Sequence, residues 1–589
     1  MTVAPNVLYI VWDDAGIAMW NAFGGLIETP HLNSLARRGL RFSQWHTPAL
    51  SSPTRCCLLT GREYHEGSLG WSTAGPRGWQ EQSVVIPPDS ATLAEIMHGC
   101  GYRTYCVGKW HLSPWPAGTI TNSRGTWPLA RGFDRYYGFL GSQTSLWCPD
   151  LVYDNQHIDP PYPPEDGYHL NGDLADMAIE FIRDGSRTTP GKPWLCYLSF
   201  GPGSIPQLAP ARWSDACRGQ FDLGYDRYRE VVLANMKQLG VVPEDTGLAP
   251  GGRRSARGPA DGQLDRPWAA LTEEQRLLSR QYAESAAAQC CYTDHQIGRL
   301  VGYLRESGQL DDTIVVVCSA NAKAPLAGRP PEVGGPLADA GHYPSGWAWA
   351  FRTPYSMPRQ SALGGSAPSP LIISWAREMT DVAGGVRDQY HHAVDIVPTI
   401  LDCAGLGPPR PVRRSPMHGV SMRYTFTAPG APSARCTQLY EMPGAHAIYR
   451  DGWKAVAGRR VTTGGGHDVP GAWEVYHVSA DRAEIRDVAA LYPEKTAELA
   501  ALWKTTAVLA SGGDPPRPPR VSPPTSPSPS MADLRPAVAA DPAPPGRRLV
   551  PGRASAGPGR LAAVTARVPV PDAARRPAAP GGRAARAGG

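Results

Sequence analysis

The sequence is short of the features that mark a metal-stapled, membrane-spanning or nucleic-acid-binding chain. Its 12 cysteines form no paired CxxC spacing, and four of them sit as adjacent pairs, Cys56-Cys57 and Cys290-Cys291. That argues against a tetrahedral zinc site and fits mostly reduced thiols. No stretch approaches the roughly 18 apolar residues of a membrane span, so no membrane partner is expected. The opening MTVAPNVLYIVWDD has no charged segment followed by an apolar one. The expectation is a soluble, cytoplasmic protein. A formal net charge of +5 over 589 residues is slight. A dedicated nucleic-acid binder would show a concentrated basic face, so no nucleic-acid partner is expected. Beyond about Ser511 aromatic residues vanish, and Pro, Ala, Gly and Arg dominate. Such a segment buries too little apolar surface to offset its chain entropy, and residues 511–589 are expected to be disordered. Residues 322–340 have the same composition inside the domain.

What is present reads as an α/β protein. Hydrophobic residues make up 42% of the chain, enough for a sizeable core. Asn6 to Trp12 is a β-branched apolar run that ends at Asp13 and Asp14, as a buried parallel strand would. Further strands are predicted at Thr104–Val107, Trp194–Ser199, Thr313–Cys318 and Leu371–Ser374. Helices are predicted from Thr29-Pro30 to Arg38, from Ser52-Pro53 to Thr60, at Thr92–His98 and at Thr272–Leu304. The alternation favours a mostly parallel sheet flanked by helices. Trp473–Trp503 reads as strand, turn and helix, which suits a small C-terminal α+β subdomain. The expected division is 5–405, 406–510 and the 511–589 tail.

Several motifs follow one another in a telling order. Ala49-Leu50-Ser51-Ser52-Pro53-Thr54-Arg55, then Leu58-Leu59-Thr60-Gly61-Arg62, resembles the C-x-P-x-R…L-T-G-R signature of the sulfatase family. Gly108-Lys109-Trp110-His111 resembles its G-K-W-H motif. Asp395-Ile396-Val397-Pro398-Thr399 and Arg450-Asp451-Gly452-Trp453-Lys454 resemble two later motifs, and Phe221 to Pro243 is similar to bacterial arylsulfatases. The likeness runs from about residue 5 to 505, and independent motifs in sequence are a stronger signal than one short pattern.

The resemblance implies an alkaline-phosphatase-like fold and hydrolysis of a small-molecule sulfate ester. It implies one divalent cation, Ca2+, held by hard oxygen donors, here Asp13, Asp14 and Asn321. It places the nucleophile at Ser51, where a sulfatase-maturing enzyme would form formylglycine. Arg55 and Lys109 would offset charge on the sulfate, and His111 would serve the alcohol side. Each residue also has a plainer reading. Asp13 and Asp14 could be a solvated loop, Ser51 a helix cap, Arg55 a surface arginine, and the GKWH tetrapeptide a structural turn.

Three positions and one segment depart from the family pattern. Ser204 and Gln207 stand where histidines are expected, Ala320 where a metal carboxylate is expected, and Arg359 to Gly365 where a lysine and a glutamate are expected. Ser204 cannot protonate a leaving alkoxide near neutral pH. Three readings stay open: an impaired arylsulfatase-like hydrolase, an inactive sulfatase homologue kept for binding or decaying, and a phosphate ester hydrolase that uses Ser51 directly.

Overall fold

The computed structural model describes residues 4–64, 85–113, 124–201, 209–249, 266–321, 345–355, 368–407, 417–442, 445–460, 469–470 and 472–510. The expected tail from 511 onward and the stretch 322–340 lie outside them.

The first strand, β1 (Asn6–Trp12), forms where the apolar run predicts it. Leu8, Ile10 and Trp12 pack into one hydrophobic cluster, while Val7, Tyr9 and Val11 pack into another. A strand covered on both faces has no polar side, which is why NVLYIVW shows no alternation. The main sheet continues with β2 (Leu40–Phe42), β3 (Arg103–Lys109), β4 (Arg135–Phe139), β5 (Leu151–Tyr153), β6 (Gln156–Ile158), β7 (Trp194–Ser199), β8 (Thr313–Ser319), β9 (Leu371–Ser374) and β10 (Val386–Arg387). Their spatial order among the described residues is β10-β2-β9-β8-β1-β7-β3-β4-β5-β6. The centre, β8-β1-β7-β3-β4, is parallel throughout. β9 runs antiparallel to β8, and β5 and β6 add an antiparallel edge. Pairing of Trp12 with Ser319 and of Val11 with Ser199 brings the carboxyl ends of β8, β1 and β7 level.

Helices α1 (Pro30–Arg38), α2 (Ser51–Thr60), α3 (Leu93–Gly99), α4 (Leu170–Thr188), α5 (Ala211–Ala216), α6 (Gly224–Gln238) and α7 (Glu273–Glu306) belong to the α/β region. Capping boxes open α3 (Thr92 with Glu95) and α7 (Thr272 with Gln275). α1 is opened differently from expectation. The Thr29 hydroxyl donates to Asn21 Oδ1 at 2.7 Å, and the free N–H groups of His31 and Leu32 donate instead to Asp294 of α7, at 3.1 and 2.8 Å. α8 (Ile396–Cys403) follows the D-I-x-P-T segment.

A second, antiparallel sheet is built from β11 (Thr437–Met442), β12 (Ala445–Arg450), β13 (Trp453–Arg460), β14 (Val469–Pro470) and β15 (Glu474–His477). α9 (Pro493–Ala510) packs on it, and Leu439, Ile448, Ala455, Val475 and Leu499 share one apolar cluster. β15 and α9 are the strand and helix read from Trp473–Trp503.

Candidate active site

Five elements deliver side chains to one edge of the main sheet, at the carboxyl ends of its parallel strands. Open α/β sheets hold their ligands there. Asp13 and Asp14 follow β1. Ser51 and Arg55 lie on α2, Lys109 ends β3, Ser199 ends β7, and Ser319 ends β8 with Ala320 and Asn321 just beyond.

Asp13 is the hub. Its Oδ1 accepts the Ser51 hydroxyl at 2.9 Å and Arg55 Nη2 at 3.4 Å, and its Oδ2 accepts Lys109 Nζ at 2.6 Å. Ser51 is the first residue of α2 and caps nothing, so the helix-cap reading fails; its Oγ instead accepts Arg55 Nε at 2.9 Å. The two residues are one helical turn apart and therefore share a face. Arg55 is fully buried. Its Nη1 donates to Ser199 Oγ at 2.6 Å, the Lys109 carbonyl at 3.2 Å and Tyr197 OH at 3.3 Å. The surface-arginine reading fails with it. Across the hub, the Asn321 amide donates to Asp14 Oδ1. Ser319 Oγ accepts the Ala15 N–H at 2.9 Å and donates to the Asn321 carbonyl at 2.8 Å, so the ends of β1 and β8 are tied.

Backbone geometry sets the two strand ends. Gly108 has φ +97°, and a Cβ there would lie 1.8 Å from the Ser199 carbonyl oxygen. Only glycine allows β3 and β7 to come this close beneath Arg55. Asp14 and His111 both adopt left-handed backbone, at φ 59° and 57°. Residues held in this region concentrate where function constrains the chain. His111 is buried, and neither ring nitrogen has a hydrogen-bond partner among the described residues.

The charges balance. Asp13 and Asp14 carry two negative charges, against two positive charges on Arg55 and Lys109. Burial pushes the Asp13 carboxyl up, but Lys109 and Arg55 outweigh it and hold the group well below the usual carboxylate range. Burial lowers His111 far below an ordinary histidine, and Lys109 and Arg55 push the same way, so the imidazole is neutral. Burial also lowers Lys109, with Asp13 opposing.

Two carboxylates and an amide are the right kind of donor for a hard divalent ion, which takes 6–8 oxygens. The set is short by one acid: Ala320 is fully buried in an apolar cluster, with its N–H on the Trp12 carbonyl at 2.7 Å. Among the described residues no three His, Cys, Asp or Glu side chains gather as a metal set. The residues fit a cation in kind and fall short in number.

Ser51, Arg55, Lys109, Asp13, Asp14 and Asn321 are therefore linked through hydrogen bonds around Asp13 and the β1–β8 junction. Ser204, Gln207 and Arg359–Gly365 lie outside the described residues. Sequence reasoning missed Tyr197 and Ser199. Their signal was two hydroxyls at alternate positions of the apolar run WLCYLS, which places both on one face of the strand.

The Sulfatase family matches this chain over residues 5–406. The chain belongs to the sulfatase family. An uncharacterised sulfatase of Schizosaccharomyces pombe is 27% identical over 543 residues, covering 85% of this chain and 92% of the relative. An arylsulfatase of Klebsiella aerogenes is 28% identical over 446 residues, covering 71% and 91%. A solved structure holding its substrate, D-glucosamine-2-N,6-O-disulfate, shares the fold with a TM-score of 0.55 and 21% identity, covering 87% of this chain and 99% of that one. Among the described residues of this sulfatase, no helix is long and apolar enough to cross a membrane.

Proposed function

We propose that this sulfatase hydrolyses sulfate esters, aryl sulfates among them, at a rate lowered by its missing acid and base groups. The observation that supports this most directly is the knot of Ser51, Arg55 and Lys109 on Asp13. It places a hydroxyl beside two cations at the ligand-binding edge of the sheet. Arg55 and Lys109 supply positive charge for the sulfate oxygens. Asp13 holds the Ser51 proton, and the neutral His111 can exchange one with the alcohol. Ca2+ held by Asp13, Asp14 and Asn321 would polarise the ester. Formylglycine at Ser51, formed by a maturing enzyme, would supply an aldehyde hydrate. The gap at Ala320 lowers cation affinity, since ligand charge helps to set it. Loss of one acid–base group forfeits about 10²- to 10⁴-fold in rate.

The test joins a mass spectrum of the Ser51 peptide to an aryl sulfate assay. Weak turnover that rises when Ala320→Asp and Ser204→His are made together supports the reading. Ordinary sulfatase rates in the wild type, or no gain in the double variant with formylglycine confirmed, overturns it. A serine in the signature position, with its hydroxyl on Asp13, supports a second reading, phosphate ester hydrolysis by that hydroxyl itself. Activity on an aryl phosphate that survives without modification of Ser51 would select it.

A further inference from the structure

Outside the Asp13 knot, two of the cysteines face one another. Cys217 closes the last turn of α5 and is 1% exposed, whereas Cys291 lies half-buried on α7. Their side chains are within hydrogen-bond reach of each other, and the Cys291 sulfur also lies 3.3 Å from the Glu28 carbonyl. No disulfide joins any cysteine among the described residues.

The pairing is held from both sides. Trp213 of α5 packs edge-on against Tyr292 at 5.8 Å and beside His295 at 5.3 Å. Just past Cys217, the Gly219 N–H donates to Glu284 Oε1 at 2.8 Å. Glu284, Cys291 and His295 are spaced seven and four residues apart, so they share one face of α7, and that face is turned to α5. Contacts above and below the two sulfurs therefore fix their approach. The adjacent Cys290 points into the core cluster and is 1% exposed.

We infer that Cys217 and Cys291 form a reversible disulfide that pins α5 to α7, with a small-molecule disulfide such as oxidised glutathione as the oxidant. The half-exposed Cys291 gives up its proton as its sulfur attacks the small disulfide; that S–S bond breaks and one thiol leaves. Cys217 then attacks the mixed disulfide and the second thiol leaves. Two protein thiols and one small disulfide become one protein disulfide and two small thiols, and both protons end on the leaving thiols. The product closes a loop that contains α6, and a loop of that length restricts the unfolded chain strongly.

The experiment treats the full-length protein with oxidised glutathione, alkylates it without reduction, and maps it by tandem mass spectrometry beside thermal melts. The expected result is a cross-linked peptide joining Cys217 to Cys291 and a melting temperature raised by several degrees. Dithiothreitol reverses both changes, and Cys217→Ser and Cys291→Ser abolish them. Cys148→Ser, at an exposed cysteine, leaves them intact. The inference is overturned if both residues are recovered alkylated, if Cys291 stops at the glutathione adduct, or if Cys217 is joined to Cys290.

Discussion

Two buried aspartates, Asp13 and Asp395, are held in the same ionised state by different surroundings. Asp395, just before α8, is fully buried. Arg435 grips it with Nε and Nη2, Nε lying 2.8 Å from Oδ2, and His391 Nδ1 lies 2.9 Å from the same oxygen. The backbone N–H groups of His392 and Val420 donate at 3.0 and 2.8 Å. Burial pushes its carboxyl up, and Arg435 with His391 drives it well below the usual range. Asp13 is depressed too, yet its partners are a lysine, an arginine and a serine, and two neighbours, Asp14 and Ser51, are only partly buried. One carboxylate is saturated by donors from a closed core. The other is balanced by two buried cations at a sheet edge whose flanking residues, Asp14 and Ser51, reach partway to solvent.

The comparison breaks most visibly at Arg435. Arg435→Leu leaves Asp395 buried without its counter-charge and should cost about 3–5 kcal/mol of stability, read as a lowered denaturation midpoint. Asp13→Asn should act on rate instead. A drop of about 10²-fold or more in aryl sulfate turnover is expected, with a smaller loss of stability than in Arg435→Leu, because the amide still offers Lys109 and Arg55 an oxygen acceptor whereas leucine offers Asp395 no donor. An Asp13→Asn protein that unfolds as readily as Arg435→Leu would erase the distinction.

Ala320→Asp sharpens it from the other side. The new acid should tighten Ca2+ in a calorimetric titration by about tenfold or more, through added ligand charge. The corresponding addition near Asp395 has no ion to serve.

The smallest effect is on acid stability. The folded carboxyl of Asp395 lies below its unfolded value of about 3.9, so the unfolded chain binds more protons as pH falls. Its contribution is complete above about pH 4 and is lost progressively as pH drops toward the folded value. Arg435→Leu should flatten that decline, measured as melting temperature from pH 5 downward. An unchanged slope would show that Arg435 does not set the ionisation of Asp395.

The sequence made the centre of the fold legible because β1, β7 and β8 are apolar runs whose ends carry the chemistry. It did not reveal that β9 reverses direction, since a run of four buried residues looks the same either way. β2 is three residues long and was invisible for that reason. Of the site, Asp13, Ser51, Arg55, Lys109 and Asn321 were read from motifs. Tyr197 and Ser199 escaped because a hydroxyl in an apolar strand reads as a tolerated exception. Arg435 escaped because its partner lies 40 residues earlier, with no periodicity to link the two.

The reach of Arg55 also has a meaning in time. Its guanidinium meets Asp13, the Lys109 carbonyl and, 144 residues downstream, Ser199. A nascent chain that has not yet emerged as far as Ser199 carries the signature segment without the anchor that orients it. Contacts this distant in sequence form late, after the intervening loops have closed. The edge that carries Ser51 and Arg55 therefore cannot be complete until the chain through Ser199 has folded.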